Sequence, residues 1–171
     1  MIKLKPFRQT PGLCGPASLK MVMDYYGVSV SEKEIARVAG STRERGTSIK
    51  GLIRAAKHFG FKVVLKKDAS FRDLEYFIDR KIPVIVDWFE GGNGGHYSVV
   101  VDITKRKVVL MDPALRKILL YVRRRVLTRE LFYSLWFDFP YKFIRTPKDL
   151  VLRAMLVVMP SLNKINNKNH D

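Results

Sequence analysis

A single cysteine, Cys14, means that no disulfide can close within this chain, so a disulfide-rich secreted scaffold is excluded. One thiol and three histidines, at positions 58, 96 and 170, are too few and too scattered for a structural zinc site, and no metal or other cofactor is expected. No stretch of about 18 consecutive apolar residues occurs, which excludes a membrane-spanning helix. The opening MIKLKPFRQT lacks the apolar run of a signal peptide, so the expected location is the cytoplasm, where a thiol stays reduced. Acids are scarce, 16 against 32 Lys and Arg, which leaves a formal net charge of +16. Glutamine occurs once, as Gln9.

What is present suits a globular domain. The chain has 171 residues and is 47% apolar, which rules out wholesale disorder. A chain of this length buries roughly 70% of its unfolded surface. One domain is expected over residues 1–160, with a polar, disordered tail over 161–171. The basic surplus is densest over residues 105–153, with 13 Lys and Arg against four acids. Such a face attracts phosphate-rich polymers or anionic headgroups. No base-reading motif accompanies it, so the expectation is weak nucleic-acid or anionic-surface contact through residues 105–153.

Apolar periodicity predicts a helix from Cys14 to Tyr26, with Pro16 in its first turn and Gly27 after its end. Ser31 and Glu34 form a capping-box pattern for a second helix ending near Ala39. Thr47 or Ser48 caps a third, and Ser70 a fourth, with a short strand from Phe61 to Leu65 between them. The pattern then turns to strands: Ile82–Trp88, a hairpin of Tyr97–Thr104 and Lys107–Met111, a strand over Lys117–Val122, and a last one from Arg153 to Met159. A short helix opens at Thr128. Helices first and strands later argue for an α+β fold with a mostly antiparallel sheet.

Three placements carry chemistry. Cys14 opens a helix, where unpaired N–H groups and the positive end of the dipole favour a thiolate. His96 stands where a glycine-rich loop, Glu90 to Gly95, meets a strand, and Asp112-Pro113 ends the partner strand. A thiolate needs an imidazole as partner and proton donor, and the imidazole needs a group to fix its tautomer. With the hairpin turn near Lys105-Arg106, Asp112 is expected opposite about Val99, roughly 10 Å along the strand from His96. The Cys14 N–H and the Gln9 amide are candidate oxyanion donors, and Gly15 is expected to leave room for a substrate backbone. His58 lies mid-helix and His170 in the tail, so neither is a candidate partner.

The segments Gln9…Cys14-Gly-Pro-Ala-Ser-Leu-Lys-Met-Val-Met-Asp-Tyr-Tyr-Gly27, His96-Tyr-Ser-Val-Val-Val and Asp112-Pro113 resemble the bacteriocin-processing cysteine peptidases. These are papain-like domains that cut leader peptides after a double glycine and have stand-alone relatives. Gly46-Thr47 and Phe132…Trp136 are similar to weaker features of the group, so the likeness runs from about Arg8 to Met159. It implies a papain-like fold and a peptide or protein substrate. It also implies Cys14 as nucleophile, His96 as general acid and base, Asp112 as orienting residue and Gln9 as oxyanion donor. In that family the glutamine usually lies six residues before the cysteine; here the interval is five, and Thr10-Pro11-Gly12 is the turn available to absorb the difference. Two other classes fit the same residues. One is an amidase or acyl transferase acting on a non-peptide substrate; the other is a non-catalytic module binding peptide or nucleic acid on the basic face.

Overall fold

The computed structural model describes residues 1–91, 94–114, 124–139 and 144–161. Helix α1 (Cys14–Tyr25) is buried on nearly every side from Gly15 to Met23, because β3 and α2 both pack on it. That is why its apolar residues exceed the single stripe the periodicity suggests. In α2 (Glu32–Ala39), Ser31 and Glu34 make the reciprocal capping box, and Gly40 ends the helix at φ 68 in the left-handed region. In α3 (Ile49–His58) the cap is Ser48, whose Oγ accepts the Gly51 N–H at 3.1 Å, while Thr47 donates to Ser41 at 2.7 Å. Strand β1 (Phe61–Lys66) and helix α4 (Phe71–Asp79), capped by Ser70, complete the first half.

The sheet is antiparallel throughout, in the order β1-β8-β2-β3-β4-β5. Its remaining strands are β2 (Val84–Phe89), β3 (Gly95–Ile103), β4 (Lys107–Met111), β5 (Arg124–Thr128) and β8 (Met155–Pro160). Helix α5 (Arg129–Leu135) and a small pair, β6 (Phe137–Asp138) with β7 (Val151–Leu152), pack at its side. Strand β3 lies between α1 and α4, which explains its unbroken burial from His96 to Val101.

Two elements depart from expectation. Strand β5 falls within the Arg124-Arg125 run, where charge hides a strand whose Arg125 and Leu127 point into the structure and whose Val126 is exposed. The hairpin of β3 and β4 contains a bulge between Val100 and Asp102 that shifts its register by one residue. The expected strand over Lys117–Val122 and the tail beyond Ser161 lie outside the described residues. Several basic residues of the 105–153 segment are engaged internally. Arg129 bonds Glu75 at 2.8 Å, Arg153 bonds Asp68 at 2.9 Å, and Arg125 enters the site described below. Among the described residues no helix is long and apolar enough to cross a membrane.

Candidate active site

The loop that delivers Cys14 is fixed from two directions. Pro11 and Gly12 form a tight turn in which the Leu13 N–H donates to the Thr10 carbonyl at 2.9 Å and Gly12 takes φ 82. This turn lies within the five-residue interval between Gln9 and Cys14. The buried Glu32 carboxylate accepts from the Thr10 N–H at 3.0 Å and from its hydroxyl at 2.6 Å, tying the loop to α2. A Cβ at Gly12 would come 2.5 Å from the Arg43 carbonyl oxygen. Gly12→Ala is therefore expected to destabilise the fold by about 1–2 kcal/mol and to slow catalysis by shifting Cys14. Thermal melting and steady-state kinetics on the same preparation check both; a variant with wild-type melting and rate would show that the loop tolerates the side chain.

Ser18 sets the alignment of α1 on the sheet. It is one helical turn beyond Cys14 and so on the same face. It is fully buried, and its Oγ donates to the Tyr97 carbonyl at 3.1 Å, one residue from His96. Cys14 is half-buried. His96 is 6% exposed and Asp112 is 0% exposed. His96 Nε2 bonds Asp112 Oδ1 at 2.8 Å, which leaves Nδ1 for the Cys14 side. Burial alone would lower the His96 pKa. The bond to Asp112 and the neighbouring Cys14 sulfur outweigh it and push the value up to about 10. Burial likewise opposes ionisation of Asp112, but His96, the Ala114 N–H and Arg125 hold its pKa below the usual carboxylate range.

The bulge accounts for the closeness of His96 and Asp112. Val99 pairs with Met111 rather than with Asp112, so Asp112 stands one position nearer His96 than an unbroken hairpin would place it. Gln9 is anchored beside this pair, its N–H donating to the Pro113 carbonyl at 3.0 Å. Its half-buried side chain makes no hydrogen bond to Cys14, His96 or Asp112, and its Oε1 is buried without a partner among the described residues. Gly15 does not open space for a substrate. A Cβ there would lie 2.9 Å from Thr47 Cβ, so this glycine lets α1 pack against the start of α3.

Four further groups surround the histidine. The Trp88 ring meets the His96 ring edge to face at 5.9 Å, and its indole N–H is held by Ser98 Oγ at 3.1 Å. Arg125 Nε donates to Asp112 Oδ2 at 3.0 Å, and its Nη2 donates to Glu90 Oε1. Glu90 Oε2 lies 3.9 Å from His96 Nδ1. On the neighbouring residues, Asp87 is paired across the strands with Tyr97, and the Asp138 carboxyl fills the space where a Gly95 side chain would stand. The sequence carries one signal for this last group, an acid in the middle of the apolar run Val84–Trp88. Arg125 is concealed in a basic run that reads as solvated surface. Among the described residues no cluster of three or more His, Cys, Asp or Glu is arranged to hold a metal ion.

Comparison with known proteins agrees with this architecture. An uncharacterized protein of Methanothermobacter marburgensis is 35% identical over 71% of this chain and 79% of its own length. The pediocin PA-1 transport/processing ATP-binding protein PedD of Pediococcus acidilactici is 32% identical over 58% of this chain, but the match spans only 13% of that much longer protein. The crystal structure of the peptidase domain of Streptococcus ComA, a bi-functional ABC transporter involved in quorum sensing, superposes with a TM-score of 0.67 at 24% identity. It covers 94% of this chain and 100% of that one, and it shares the papain-like fold. The Peptidase C39 family model matches residues 8–138, so the chain belongs to the Peptidase C39 family and is a cysteine peptidase.

Proposed function

We propose that this protein cleaves peptide bonds through Cys14, His96 and Asp112, by way of a thioester acyl-enzyme. The observation that carries the reading is the 2.8 Å bond from His96 Nε2 to the buried Asp112, together with the interaction of the Cys14 side chain with the same ring. The Cys14 sulfur, as thiolate, attacks the scissile carbonyl carbon, and the carbonyl oxygen takes the negative charge. The Cys14 N–H at the head of α1 and the Gln9 side-chain amide are the donors assigned to that oxygen. The C–N bond then breaks as His96 Nδ1–H gives its proton to the departing amine. Water enters, His96 accepts its proton, and the C–S bond breaks to release the acid and restore the thiolate. Asp112 keeps the ring in one tautomer throughout. The substrate class is a peptide cut after a pair of glycines, by likeness to the processing peptidases of this family.

The test is to quench the protein in acid during turnover of an acyl-Gly-Gly aminocoumarin peptide and to measure its intact mass. The expected species is an acyl adduct on the tryptic peptide containing Cys14, absent after treatment with iodoacetamide. Turnover that persists undiminished once Cys14 is alkylated would overturn the reading.

A further inference from the structure

We infer that Arg125 is a positioning residue for this reaction, a fixed cation that spans Asp112 and Glu90 and keeps both carboxylates in their places around His96. The inference rests on the catalytic reading above and assigns a role to a residue outside the three reacting groups.

The geometry is specific to a guanidinium. Nε and Nη2 lie on one edge of the planar group, and each donates to a different carboxylate: Nε to Asp112 Oδ2 at 3.0 Å, Nη2 to Glu90 Oε1. Arg125 itself pairs with Leu110 on the neighbouring strand, so its base is held by the sheet. Its charge lies 5.3 Å from the centre of the Trp88 ring, the same ring that packs against His96. The imidazole and the guanidinium thus share one aromatic support.

Two consequences follow from the charges. Asp112 is 0% exposed, and a buried anion needs compensation. While His96 is an imidazolium it supplies that compensation. Once His96 has given its proton to the leaving amine it is neutral, and Arg125 is then the only cation bonded to Asp112 among the described residues. The arginine does not titrate, so Asp112 stays ionised through that stage and remains ready to orient the ring for the next proton. The second consequence concerns Glu90. Its Oε2 is 3.9 Å from His96 Nδ1, just beyond hydrogen-bond length. Released from Arg125, Glu90 could close on Nδ1 and compete with the sulfur and the leaving group. The titratable groups that bear on the histidine are therefore Cys14 from α1, Asp87 and Glu90 from β2 and its end, and Asp112 at the end of β4, with Arg125 of β5 governing two of them.

The experiment compares wild type with Arg125→Gln, Arg125→Lys, Glu90→Gln and the Arg125→Gln/Glu90→Gln double variant. Activity is read on the aminocoumarin peptide, and Cys14 reactivity by iodoacetamide alkylation, each across pH. Arg125→Gln is expected to lower kcat by about tenfold to a hundredfold with little change in KM, the effect of a misplaced rather than a missing reacting group. The acid limb of its pH profile moves to higher pH, because Asp112 then takes up a proton more readily. Lysine, which reaches one carboxylate and not both, recovers only part of the rate. Removing the Glu90 charge from the Arg125→Gln protein restores part of the loss, which a merely structural role would not produce. An unchanged acid limb in a folded Arg125→Gln protein, or a double variant slower than the single one, would overturn the inference. The catalytic reading is tested separately, by turnover after Cys14 is alkylated or replaced, and its failure there is distinct from an unchanged acid limb in Arg125→Gln.

Discussion

Cys14→Ala and His96→Ala are each expected to lower kcat/KM for peptide cleavage by about three to six orders of magnitude, and the double variant to be no slower than either alone. In the proposed mechanism the two groups act as one unit. Without the sulfur there is no acyl-enzyme for the histidine to serve. Without the imidazole the departing amine has no proton donor and the attacking water no base. Cys14→Ala should leave the fold undisturbed, and His96→Ala should still fold but melt lower, because the buried Asp112 then keeps Arg125 as its cation and loses the imidazolium. Cys14 is half-buried at the end of a helix held elsewhere by Ser18 and by the Gly12 turn, and His96 sits at the beginning of β3, held by its ladder to Trp88. His96→Ala also removes the imidazole that interacts with the Cys14 side chain, so iodoacetamide should alkylate Cys14 more slowly than it does in the wild type. Kinetics on the aminocoumarin peptide and mass-spectrometric counting of the alkylated protein check both parts. A His96→Ala rate within tenfold of wild type would remove the histidine from the mechanism, and losses that multiply in the double variant would show two independent contributions.

The pieces of this site were legible in the sequence to very different degrees. Local rules served where local chemistry decides the outcome: Ser31 with Glu34, Ser70, and Gly40 begin or end helices through bonds made within four residues of themselves. The α+β class followed from the change of apolar period near Ile82 and is the fold shared with the C39 peptidase domains. The distance between His96 and Asp112 was another matter. It depends on a bulge at one position of β3, and nothing in Val99-Val100-Val101 distinguishes a bulged strand from a regular one. Gly15 was misread for a similar reason. A glycine beside a nucleophile suggests space for a ligand, but the neighbour that takes that space, Thr47, is 32 residues away and its approach is decided by how α1 and α3 pack. Arg125 was invisible because a run of arginines looks like solvated surface, and only the fold of β5 against β4 turns one of them onto the buried carboxylate.

Asp87→Asn is expected to stabilise the protein at pH 8 by about 1–4 kcal/mol while leaving it nearly unchanged at pH 4. Asp87 is 2% exposed, and the Oδ1 atoms of Asp87 and Asp138 are both buried without a donor among the described residues. Burial raises the pKa of Asp87 far above the ordinary carboxylate range, and the adjacent Asp138 charge raises it further; Asp138 is raised as well, again chiefly by burial. With both pKa values raised, one proton shared between the two carboxyls is the expected arrangement, and it would supply the missing donor. In this arrangement the folded state binds more protons than the unfolded chain at every pH between the two pKa values, so stability falls as pH rises. The contribution is fully present below the unfolded carboxylate pKa of about 4 and is lost as pH climbs through the folded-state value. Asparagine offers a permanent N–H to Asp138 and needs no proton from solvent. His96 adds a second decline of the same sign at higher pH, because its folded pKa of about 10 exceeds the unfolded value of 6.5: its stabilising contribution is complete below 6.5 and gone above 10. The two are separable by melting curves from pH 4 to pH 10. Asp87→Asn should flatten the part of the profile set by the carboxyl pair and keep the histidine decline, while His96→Ala should do the reverse. An Asp87→Asn protein that melts below wild type at pH 8 would mean that the pair is ionised and paid for by a partner elsewhere, and the shared proton beside Gly95 would have to be given up.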